Sequence, residues 1–164
     1  MQPESLLTAV AGVASAFIGF TGVIFAVGRF SRGAWKVSER HALTNMLVPS
    51  LVALFMALVP MVVLTGVQSA ISVWRISNAI LATIHVVLVT GALRVALRGE
   101  LVEPIPLRFV LIPGGYVSVV ASALVAAGLW PSLAATIFGA GLVWFLLIAA
   151  IQFVLLVTPQ AGAA

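Results

Sequence analysis

Five apolar stretches, at about 6–28, 46–67, 78–97, 109–129 and 133–157, limit what this chain can become. Each is long enough to cross the ~30 Å hydrocarbon core of a bilayer, which takes about 20 helical residues. In lipid every backbone N–H and C=O must be satisfied within the protein, so an apolar run of that length is helical. The expectation is an all-α integral membrane protein, a compact bundle of about five transmembrane helices forming one transmembrane domain over residues 1–164. Composition agrees: 63% of residues are hydrophobic and 7% charged, against about a quarter charged in soluble domains.

Charge placement sets the orientation. Eight Lys and Arg against four acidic residues leave a net charge of +4, an excess that in other settings signals nucleic acid. Here the cations sit at span ends. Arg29, Arg32, Lys36 and Arg40 fall between spans one and two, Arg94, Arg98 and Arg108 at or between three and four, and Arg75 on the other side. By the positive-inside rule the N-terminus lies outside and the C-terminus in the cytoplasm. Trp35 then marks the inner interface, and Trp74 and Trp130 the outer one. The expected location is a bacterial inner membrane, with the lipid bilayer as a partner and no nucleic acid. Residues 1–5 lack a positive n-region and the apolar run behind them is too long for an h-region, so the first span is read as retained.

Within the first span, Thr8, Gly12, Ser15, Gly19, Gly22 and Ala26 recur at steps of four and three, a seam of small side chains on one helical face. Helices associate in lipid through close backbone approach, which small residues permit. The seam therefore packs against a neighbouring helix of the same chain, the Gly115, Ser118, Ser122 and Ala126 face being the nearest match, or lines an interface or pore between copies.

The third span carries a stripe of Arg75, Asn78, Ala82, His85, Val89, Ala92 and Ala96, polar in one half and small in the other. A water-filled vestibule reaching His85 produces such a pattern, as does a histidine bonded to a neighbouring helix. Arg75, Asn78 and His85 are accordingly the candidates for a pathway or gate. Haem would need a second imidazole at similar depth, and His41 is expected at the cytoplasmic surface, so no cofactor or metal is assigned. Pro113, Gly114 and Gly115 combine a helix breaker with two permissive residues and mark a kink or a break. Pro49 and Pro60 interrupt the second span, and Ser38 with Glu39 can start its helix at the membrane surface. Arg29, Arg32, Lys36 and Arg40 are candidates for anionic lipid headgroups. Trp144 and Gln152 are read as packing contacts.

Catalysis is poorly supplied. There is no cysteine, no aspartate, and all four glutamates lie at or outside span ends, so neither a nucleophile–base cluster nor a carboxylate relay assembles within the spans. The chain is not expected to be an enzyme. The functional expectation is an oligomeric ion channel or passive permeation unit, a homo-oligomer. The alternative is a structural or accessory subunit docked on a partner membrane protein.

Overall fold

The computed structural model describes residues 3–32, 37–67, 69–97 and 105–157. These form five long helices and one short 3-10 turn: α1 (Pro3–Arg32), α2 (Val37–Gly66), α3 (Ala70–Leu97), α4 (Ile105–Ala126), and α5 (Ala134–Val157) after the turn Pro131–Leu133. All five helices are long and apolar enough to cross a membrane. At 30 residues, α1 and α2 extend about 45 Å and outlast the hydrocarbon core unless tilted. α2 begins nine residues before its apolar stretch, with Glu39 in the first turn where an acid suits the helix dipole. It runs unbroken through Pro49 and Pro60, both of which are buried.

α5 is the centre of the bundle and touches all four other helices, while α1 packs on α2 and α5, and α4 on α3 and α5. Its sequence fits that position, being apolar on every side rather than along one stripe. Phe138, Leu142 and Phe145 are almost fully buried and form the core with Leu7, Val10 and Ala14 of α1, Ala53, Met56 and Ala57 of α2, and Leu81 of α3. Ring contacts tie α5 to its neighbours, Trp74 to Phe138 at 5.8 Å and Phe17 to Phe153 at 6.5 Å.

The outer surface is apolar. Phe20, Phe55, Met61, Val87, Phe109 and Val117, spread over four helices, are each more than half exposed, a display suited to lipid rather than water. Hydroxyls on these helices are kept off the surrounding medium by bonding to their own backbone. Thr8, Thr21, Thr44 and Thr83 each donate to the carbonyl four residues earlier, as does the buried Ser50.

Candidate functional site

Two stripes that the sequence presents separately face each other. The α4 face of Gly115, Ser118 and Ala126 does not meet the α1 seam; it packs antiparallel on the polar stripe of α3. A Cβ at Gly115 would stand 3.0 Å from a Val89 methyl, Ser118 Oγ lies 3.4 Å from His85 Nδ1, and Arg75 Nε donates to the Ala126 carbonyl at 3.2 Å. The partner positions fall as one helix descends and the other rises, which is the register of an antiparallel pair.

At the end away from the basic links this stripe is closed. Arg75 lies over the C-terminus of α4, which ends in a Schellman turn: Gly128 N–H bonds to Val125 O at 2.9 Å and Leu129 N–H to Leu124 O at 3.0 Å, with Gly128 at φ 98°. The guanidinium also meets the negative end of the helix dipole. Asn78 is fully buried and donates to Trp74 O (2.8 Å) and Ala134 O (3.1 Å), pinning α3 to the start of α5. Leu81 is also fully buried, whereas Arg75 is exposed. Of the three pathway candidates, Arg75 and Asn78 therefore hold helices together, and His85 is separated from them.

His85 faces the other half of the bundle. It is 2% exposed, stacked on Phe145 with ring centroids 4.0 Å apart and planes 13° apart. One ring nitrogen is engaged by Ser118; the other, Nε2, has no hydrogen-bond partner among the described residues. His85 lines a partly open cavity of about 380 Å³ bounded by the first half of α2, the second halves of α3 and α5 and the beginning of α4. Most of its wall is aliphatic. The polar lining comes from His41, Thr44, Asn45, His85 and Gln152, and His41 Nε2 lies 2.8 Å from Asn45 Nδ2.

His41 is thus part of the cavity lining rather than a residue apart from His85, because α2 starts at Val37 and carries it as a helical side chain. Among the described residues no three His, Cys, Asp or Glu side chains converge on a point.

Trp144 shapes the cavity. Its indole lies against Gly114, where a Cβ would overlap the ring, and near Gly115. Glycine here is a matter of space: the α4 backbone yields a notch and the indole fills it. α4 is accordingly one continuous helix through Pro113, Gly114 and Gly115, without a break. The pairing bridges 30 positions and has no local signal. Periodicity does carry a trace of the site, since His41, Asn45 and Pro49 on α2, and Trp144, Ile148 and Gln152 on α5, recur at steps of four and all line it.

The α1 seam points away from the bundle. Thr8, Gly12, Ser15, Gly19, Gly22 and Ala26 are exposed, and a Cβ at Gly12, Gly19 or Gly22 would meet nothing within 4 Å. The buried face of α1 includes Leu7, Val10, Ala14 and Thr21, with Ala11 and Ile18 half-buried; all but Val10 stand one position before a seam residue. One residue is about 100° of rotation, so packing α1 through this face turns the seam outward. Of the headgroup candidates, Arg40 is exposed at the start of α2. Lys36 lies outside the described residues, as do Trp35, Arg98 and the side chains of Arg29 and Arg32.

No family model, no curated protein and no solved structure matches the chain.

Proposed function

We propose that the chain is a multi-pass protein of a bacterial cytoplasmic membrane that takes a small, mostly apolar molecule into the cavity beside His85. The carrying observation is the cavity itself: about 380 Å³ with largely aliphatic walls, aromatic rings of Trp144 and Phe145, and a few convergent polar groups, the usual make-up of a small-molecule site. The cations of the α1–α2 and α3–α4 links lie at the same end, which by the positive-inside rule is cytoplasmic and leaves the N-terminus outside. His85 and Gln152 orient the molecule, and the aliphatic wall supplies the contact area.

Native mass spectrometry of the protein in mild detergent tests this. The expected result is a co-purifying small-molecule adduct that disappears in Gly91→Leu, a substitution that fills the cavity because a Cβ at Gly91 meets no protein atom within 4 Å. No adduct in the wild type, or equal adduct in both, removes the reading.

A second reading rests on the outward-facing seam. Four exposed small residues spanning Gly12 to Gly22 suit a helix that docks closely on another protein, either a further copy, forming an oligomeric ion channel or passive permeation unit, or a partner for which this chain is an accessory subunit. Leu81, Phe138 and Leu142 fill the middle of the bundle, so a permeation route would run between copies. A symmetric ring with α1 around its axis supports the channel; a monomer in mild detergent without liposome ion flux sinks it.

A further inference from the structure

A second depression lies on the outside of the bundle at the basic end, between the last turns of α1 and the first turns of α2. It measures about 410 Å³ and its walls are Ile18, Gly22 and Phe25 on one side and Leu43 and Leu47 on the other, with Arg40 at its end. The threonines that also line it, Thr21 and Thr44, donate their hydroxyl protons to Phe17 O (2.7 Å) and Arg40 O (2.9 Å), so the trough is apolar in effect. Arg40 is exposed. Along α1 the apolar wall extends from Ile18 to Phe25, about 10 Å at 1.5 Å per residue, and along α2 from Leu43 to Leu47, about 6 Å.

We infer that this groove binds one anionic phospholipid, its acyl chain lying on Ile18, Phe25, Leu43 and Leu47 and its phosphate on Arg40. The chemistry of the groove is that of a lipid divided at the right place, with a hydrocarbon trough that opens onto a single cation at its polar end. A free inorganic anion has no use for the trough, and an uncharged apolar molecule has none for the guanidinium. Net negative lipids are favoured over zwitterionic ones because Arg29, Arg32 and Lys36 precede Arg40 closely in the sequence, and each basic residue near a membrane surface adds to the attraction. Gly22 keeps the trough open, since a Cβ there would meet nothing within 4 Å. The inference needs the helices to lie in a bilayer and is independent of the inner cavity.

The test reconstitutes the full chain in nanodiscs of equal phosphatidylglycerol and phosphatidylcholine, then counts the lipids retained after detergent extraction by native mass spectrometry. The wild type is expected to retain phosphatidylglycerol above its bulk share. Arg40→Gln lowers that enrichment about five-fold, the factor expected for one cation at the surface. Gly22→Leu, which fills the trough, abolishes retention of either lipid, whereas Gly12→Leu, on the same face but outside the groove, behaves as wild type. Unchanged enrichment in Arg40→Gln or unchanged retention in Gly22→Leu overturns the inference. So does a Gly22→Leu protein that changes oligomeric state while keeping its lipid, which would assign the groove to a second copy.

Discussion

The two ends of the α3–α4–α5 packing use the same kinds of residue to opposite effect. At the Arg75 end polar side chains reach backbone carbonyls, Asn78 to Ala134 and Arg75 to Ala126, while Ser77 and Ser122 are fully buried with no hydrogen-bond partner among the described residues. Helices there come together through these bonds, the small buried serines and the Trp74–Phe138 ring contact. At the basic end the spacing is set by Trp144 and Phe145. The indole takes up the Gly114 notch, the Phe145 ring takes up His85, and Gly91 and Ala92 leave space unfilled on α3. Polar residues close a membrane bundle when they reach backbone, and a large aromatic opens it when its neighbours are small.

Substitutions at the two ends sharpen this contrast, read by thermal unfolding in mild detergent. Trp144→Ala is expected to cost the most, about 3 kcal/mol, because it empties the notch and lets the cavity collapse; a loss below 1 kcal/mol would mean the indole does not set the spacing. Asn78→Ala removes the tie from α3 to α5 and should cost about 1 kcal/mol, typical of an interhelical hydrogen bond in a membrane protein. An unchanged melting temperature would show the closed end held by apolar contact alone. Arg75→Gln should cost about 0.5 kcal/mol through its loss at the α4 C-terminus, and the loss should shrink in high salt. Smallest of all is Gly91→Leu, which should shift stability by no more than about 0.5 kcal/mol in either direction while eliminating any bound small molecule. If Gly91→Leu is as damaging as Asn78→Ala, the basic end is as tightly packed as the other and the contrast fails.

What was legible in the residues follows from how local each signal is. Five helices could be read because length and hydropathy are properties of a single stretch. The stripe of α3 and the small face of α4 were also legible as faces, but not as each other's partners. Small-residue spacing reports that something approaches closely and is silent on what, so the α4 face was paired with the α1 seam instead of with Val89, His85 and Arg75. The Pro113-Gly114-Gly115 run invited a broken helix because a proline removes a backbone donor. Its glycines answer to Trp144, thirty positions away, a contact no local pattern encodes. His41 was expected at the surface because the apolar stretch begins later than the helix that carries it. The cavity carries no signal in any one stretch, because it is assembled from short arcs of four helices.

The place of α5 has a consequence in time as well as in space. It is the last of the five helices to be synthesised, and it brings the Ala134 carbonyl to Asn78 and the Phe145 ring to His85. In a bilayer the first four spans would, until it arrives, hold Asn78 and His85 without the α5 groups that cover them, because chains enter a membrane from the N-terminal side. A chain stopped before residue 134 should therefore be recognised as incomplete and degraded, even though each of its spans is apolar enough to insert.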